Sequence, residues 1–271
     1  MLATLAAAAF GLVAGSFLGL CAWRLPRGES VASPGSRCTV CRRRLGWIEN
    51  VPLLSFVWQR GACRGCGSMI GWRYPALEIA CAAAFAACWL GWGAAGDDAG
   101  FVRTAFFCAC MLALAVCDAE CRQLPDEITL GGWIVGLGLA GWAGVLMPAL
   151  LASFAGAGVL AAVGLGYQRA RGREGLGWGD VKMVGLLGAF LGFEGMFVAV
   201  FLGSLAAAAV GLAQMLGVAL ARRRQGQSWS RARAAAAQYL TTASLPLGVY
   251  LAAGGGMALG WGHGIWRAWI G

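Results

Sequence analysis

The feature that most constrains this chain is a series of uninterrupted apolar runs of membrane-spanning length. They cover roughly residues 2–22, 76–96, 101–117, 128–146, 148–167, 195–220 and 236–260, with a shorter one at 183–193. A hydrocarbon layer about 30 Å thick is crossed by about 20 helical residues. The runs are continuous and rich in Ala, Leu and Gly, without the alternation of a membrane barrel, so they predict helices. Of 271 residues, 59% are hydrophobic and 12% charged, too little polar surface for a water-soluble domain of this size. The expected fold is an all-α polytopic membrane protein of about eight transmembrane helices, or six or seven if some pair is merged. The stretch from Val181 to Ala221 is too long for one span, which places a turn at Phe193-Glu194-Gly195. The helix before that turn, 11 residues at 183–193, reaches only about 17 Å and implies a thin or water-accessible spot.

Arginines set the orientation, because Lys and Arg near helix ends are retained in the cytoplasm. Residues 23–75 hold nine arginines, 118–127 hold Arg122, 168–182 hold three arginines and Lys182, and 222–233 hold five arginines. The intervening turns carry Asp97, Asp98 or Glu194. Both termini are therefore expected on the non-cytoplasmic side. Met1 to Phe10 has no basic stretch of the kind that opens a cleaved secretory signal, so the first helix is expected to stay as an anchor. The net charge of +9 arises from loops that topology requires to be basic, and no nucleic-acid partner is implied. The partner implied for most of the surface is the lipid bilayer. The arginine-rich loop Arg222–Arg233 reads as a mobile connector.

The chain divides into three parts: a first transmembrane helix at 1–24, a polar cytoplasmic insert at 25–75, and a helical bundle at 76–271. The insert carries Cys38-x-x-Cys41 and Cys63-x-x-Cys66, two knuckles able to place four thiolates around one ion. Zinc is the leading candidate. Disulfides are the alternative, but the arginines of the insert place it in the reducing cytoplasm. A four-thiolate site has no open position for water, so its role is structural. The other cysteines (Cys21, Cys81, Cys88, Cys108, Cys110, Cys117 and Cys121) lack ligand spacing and read as small apolar packing groups.

Ionisable groups at the edge of a bilayer are expensive and each needs a reason. Asp118 closes the third run, in Val116-Cys117-Asp118-Ala119-Glu120, and Asp180 opens the sixth, in Gly177-Trp178-Gly179-Asp180-Val181-Lys182. The topology brings both to one cytoplasmic edge. Two adjacent carboxyls cannot both ionise easily, so one keeps a proton while the other acts as base on water, which is the chemistry of an aspartic peptidase. No triad competes, since the single histidine, His263, falls at the far end of the last helix. Gly177 and Gly179 are expected to permit tight turns and to leave room for a peptide. Lys182, the one lysine in the chain, is placed to hold Asp180 ionised or to orient its loop. Asp126 reads as the cap and first turn of the fourth helix, with a catalytic part as the lesser alternative; Glu120 and Glu127 read as solvated.

These motifs resemble the type IV prepilin peptidases over nearly the whole chain. The matching residues are Gly15-Ser16-Phe17-Leu18 with Arg24-Leu25-Pro26, the cysteine knuckles enclosing Glu49-Asn50-Val51-Pro52-Leu53-Leu54-Ser55-Phe56, and Arg73-Tyr74-Pro75-x-x-Glu78. Further along come Asp118 through Leu124-Pro125-Asp126, Gly177-x-Gly179-Asp180-x-Lys182, and a weaker Leu245-Pro246-Leu247-Gly248. Gly19 departs from the pattern, standing where an asparagine is common. The resemblance implies that Asp118 and Asp180 are the catalytic pair. It implies substrates that are prepilins or pseudopilins of pili or type II secretion, cut after a glycine that ends a short basic leader. It also implies methylation of the new N-terminus with S-adenosylmethionine, to which Glu49, Asn50, Arg73 and Glu78 contribute unless they serve to stabilise the zinc insert. The location implied is the bacterial inner membrane. A polytopic transporter relaying protons through the two aspartates, and a non-catalytic scaffold for pilus assembly, are the readings to be set against this. Nothing in the sequence fixes an oligomeric state.

Overall fold

The computed structural model describes residues 1–172, 175–234 and 246–270, with backbone alone over 261–270. Its helices are α1 (Leu2–Arg24), a short α2 (Leu54–Trp58) inside the insert, α3 (Arg73–Gly91), α4 (Asp98–Cys121), α5 (Asp126–Trp142), α6 (Leu146–Arg171), α7 (Trp178–Arg224) and α8 (Leu247–Ile270). No strand occurs among the described residues. Five of these helices, α1, α3, α4, α6 and α7, are long and apolar enough to cross a membrane. At 17 residues α5 is shorter.

A straight helix the length of α7, 47 residues, would run about 70 Å, more than twice the hydrocarbon thickness. The backbone resolves this at Gly192, where φ 67 and ψ −172 break the helical path and divide α7 into 178–191 and 193–224. The break lies one residue ahead of the expected Phe193-Glu194-Gly195 turn, because a positive φ is accessible to Gly192 and unfavourable for Phe193. The short half begins at Trp178, earlier than the apolar run suggested. The last helix is displaced more: expected over 236–260, it runs over Leu247–Ile270. It begins just after Pro246, whose missing N–H is tolerated only in a helix's first turn; residues 236–245 of the expected range lie outside the described part, as does the side chain of His263.

Close helix contacts are built on glycine, because lipid offers no hydrophobic drive to bring helices together and packing must do it. On α1, Gly11, Gly15 and Gly19 recur at every fourth residue and face α3. A Cβ on Gly15 would sit 2.7 Å from Glu78 Cα, and one on Gly11 2.6 Å from the Cys81 carbonyl oxygen. Gly19 faces the Tyr74 ring, 3.2 Å from where its Cβ would be. Similar backbone approaches join α7 to α6 at Gly188 and Ser153, and α7 to α8 at Gly203 and Tyr250. The central core is formed by Phe107, Leu114, Met183, Leu186, Leu187 and Leu251, from α4, the first half of α7 and α8. Outward faces carry exposed Phe10, Leu151, Phe154, Leu205 and Leu212, as a lipid-facing surface requires.

Replacing Gly15 by leucine should force α1 off α3 at Glu78. The expected loss is about 1–3 kcal/mol, the usual range for overpacking, read as a lowered unfolding midpoint in detergent.

Candidate active site and cysteine centre

Asp118 is the fourth residue from the end of α4 and Asp180 the third residue of α7. They are 62 positions apart, yet both line one cavity of about 470 Å³. Asp118 is buried at 6% exposure and Asp180 is half-buried. Leu124, Pro125 and Leu247 line the same cavity, as do the acidic Asp126 and Glu127.

The first turn of α8 completes the surroundings of Asp118. The Val249 N–H, in the first turn of that helix, is shared between Asp118 Oδ2 at 3.1 Å and the Pro246 carbonyl at 3.2 Å. A Cβ on Gly248 would lie 3.0 Å from Asp118 Oδ2 and 2.9 Å from Leu124 Cδ2, so no side chain fits there. In the sequence this segment stands out only as the weak Leu245-Pro246-Leu247-Gly248 motif. The available signal was a Pro followed by a helix start at the edge that carries the aspartates.

Four expectations change in detail. Neither Gly177 nor Gly179 adopts a positive φ; Gly177 caps α7 with φ −71 and ψ 135. Their value is space, since a Cβ at Gly177 would lie 3.3 Å from Asp180 Oδ2 and one at Gly179 3.1 Å from Leu124 Cβ. Lys182 Nζ donates to Asp126 Oδ1 at 2.6 Å, tying α7 to α5 beside the cavity, and makes no bond to Asp180. Asp126 is accordingly the first residue of α5 but not its cap, which is Pro125. Glu120 is not free in solvent: it pairs with Arg73 at the start of α3.

In the insert the two knuckles repeat one backbone design. The Cys38 N–H donates to the Arg43 carbonyl and the Cys63 N–H to the Ser68 carbonyl, both at 2.9 Å. The residue after each second cysteine, Arg42 and Gly67, takes a positive φ of 60 and 71. The N–H two residues on from each first cysteine, of Val40 and Gly65, points at its sulfur at 3.4 Å. The backbone hydrogen bonds around Cys38 bring its thiol down to about 6, and the Ser68 hydroxyl lowers Cys66, whereas Cys41, beside the other sulfurs, is raised to about 11. All four sulfurs lie within 4.8 Å of one another, with Cys38 to Cys66 at 3.9 Å and Cys41 to Cys63 at 4.0 Å. They are free thiols able to hold a metal ion together.

A second cavity, of about 250 Å³, lies between the insert, α1 and α3, and Glu49, Asn50 and Glu78 all line it. Arg73 does not. Its guanidinium lies 4.5 Å from the Trp23 ring and bonds Tyr74 Oη at 2.8 Å while pairing with Glu120. Glu78 is buried and its Oε2 accepts the Leu53 N–H at 2.8 Å. Glu49 is held by Arg43 at 2.6 and 3.1 Å and by the Gly46 N–H at 2.9 Å. The salt bridge and the Gly46 donor hold Glu49 below the usual carboxylate range. Consecutive residues line the two cavities: Trp23 and Arg24 the insert cavity, and Leu25 and Pro26 the aspartate cavity.

Residues 9–92 match the Bacterial Peptidase A24 N-terminal domain and residues 105–212 match the Type IV leader peptidase family. The chain is similar to a prepilin leader peptidase/N-methyltransferase of Burkholderia pseudomallei (strain 1026b), 35% identical over 241 residues, covering 88% of this chain and 71% of the relative. It is 32% identical over 230 residues to the enzyme of that name from Bacillus subtilis (strain 168), covering 79% and 84%. With the Pseudomonas putida protein of that name it shares 30% identity over 287 residues, covering 97% and 92%. The chain belongs to the type IV leader peptidase family. Asp118 and Asp180 both fall within the segment matching that family's description, and the four cysteines fall within the N-terminal match. No solved structure matches the chain.

The Lys182–Asp126 pair is partly open to solvent, with Asp126 at 59% exposure. A double-mutant cycle of Lys182→Met and Asp126→Asn should return a coupling of only about 0.2–1 kcal/mol in unfolding free energy.

Proposed function

We propose that this chain is a multi-pass inner-membrane aspartic endopeptidase that removes the short basic leader of type IV prepilins and pseudopilins after a glycine, at the cytoplasmic face. We propose also that it methylates the residue left at the new N-terminus. The observation that carries the peptidase reading is the convergence of Asp118 and Asp180 on one cavity. One carboxylate takes a proton from water as the water attacks the scissile carbonyl. The other, protonated, donates a hydrogen bond to the carbonyl oxygen and then its proton to the leaving amine. Both acids lie at helix ends and not near helix centres, which favours a peptidase acting at the interface over a transporter.

Counting the two halves of α7 separately supports a reading of eight membrane helices, and the arginine distribution favours both termini outside the cytoplasm. The parts are a first helix at 1–24, an insert at 25–75 and a peptidase bundle at 76–271. Zinc suits Cys38, Cys41, Cys63 and Cys66: bonds of about 2.3 Å in a tetrahedron set sulfurs about 3.8 Å apart, close to the 3.9 and 4.0 Å separations here. Bound there, the ion would staple a loop-rich insert. The insert cavity supports methyl transfer, because its buried Glu78 carboxyl and the Phe56 ring in its lining suit a sulfonium cation. S-adenosylmethionine supplies the electrophilic methyl group when bound. Glu78, Glu49 and Asn50 would orient it, while Arg73 acts by tying α3 to α4.

Incubation of the purified protein with a prepilin, with and without S-adenosylmethionine, followed by mass spectrometry, reads the two reactions separately: leader loss, and a gain of about 14 Da for one methyl. Asp118→Asn and Asp180→Asn should each cut leader removal by about 10²–10⁴-fold while the protein still inserts. Normal cleavage in either variant would remove the dyad from the mechanism. Cys41→Ser should lower bound zinc, measured by elemental mass spectrometry, and depress methylation more than cleavage.

A further inference from the structure

The half-helix 178–191 carries Asp180 at its first turn and ends at Gly192. With 14 residues it extends about 21 Å, so it stops inside the apolar layer. Carbonyls at a helix end need donors, and none is available from lipid. The carbonyl that residue 193 would meet in an unbroken helix is that of Ala189. There Arg103 of α4, 86 residues away, donates from Nη2 to the Ala189 oxygen at 2.9 Å. The Arg103 Nε is buried and finds no acceptor among the described residues. A guanidinium held inside a bundle at that expense requires a use.

The neighbouring residues fix the same point. Phe190 packs on Phe106 and Phe107 of α4, with ring centroids 6.1 and 5.3 Å away. The two elements are therefore in contact at one end and share a cavity at the other. At one end they present Asp118 and Asp180 to a common cavity, and at the other Arg103 grips the last turn before the break. We propose that Arg103 is a positioning residue for the aspartate pair: by capping the end of the half-helix it sets the depth and rotation of 178–191 against α4, and so the place of Asp180 relative to Asp118. The inference rests on the peptidase reading above.

The test uses the full-length protein and measures leader cleavage and, separately, methylation of an already cleaved pilin, which draws on the insert cavity. Arg103→Met should lower kcat for cleavage by about 10- to 100-fold, as small misplacements of a reacting group do, with KM and the methylation rate within about twofold of the parent. Arg103→Lys, which keeps a charged donor, should recover most of that loss. Gly192→Ala strains the break without touching α4, since a Cβ there meets no neighbour, and should give the same split between the two reactions. If Arg103→Met does not accumulate, the lysine and alanine variants decide. Cleavage at the parental rate in Arg103→Met or Gly192→Ala, or parallel loss of cleavage and methylation, would overturn the positioning role. Absence of cleavage in the parent protein would instead refute the peptidase reading.

Discussion

Everything in this molecule answers to an apolar layer that solvates neither charge nor an unpaired peptide group. Backbone donors and acceptors must be satisfied within the helices, and ionisable side chains are driven to helix ends or given specific partners. Asp118 and Asp180 obey that rule, standing within a turn of the ends of α4 and α7. The first turn of α8 holds one of them, its Val249 N–H donating to Asp118. The glycines answer to the same constraint. With no gain from burying one apolar helix on another, α1 and α3 hold together through backbone contact at Gly11 and Gly15.

Much of this was legible in the sequence because apolar length is a strong signal. The first helices fall within a few residues of their expected limits, and the division of α7 came from length alone. Its position did not: hydropathy locates a turn only as a dip, and Glu194 supplied one, whereas the backbone bends at the residue able to take a positive φ. The start of the last helix was hidden because 236–245 carries no charge to separate it from the apolar residues after Pro246, and hydropathy does not register a proline boundary.

The site was legible in its parts but not in its assembly. Cysteine spacing and the two aspartate motifs stand in the sequence as short local patterns. Interactions across large separations left no such trace. The pairing of Lys182 with Asp126, of Arg73 with Glu120 and of Arg103 with Ala189 joins residues 47 to 86 positions apart. Each alone reads as a loop charge or a helix-end residue. Gly248 and Val249 belong to the same class, since a backbone N–H as partner leaves no side-chain signature.

Of the four consecutive residues Trp23 to Pro26, two line the insert cavity and two the aspartate cavity. A chain end released at the aspartate cavity starts its search for the other cavity on the same molecule. Its local concentration there is governed by distance along the membrane surface and not by the number of copies in the cell, the advantage that tethering confers on successive encounters. On that geometry proximity would favour handing the product of the first reaction to the second.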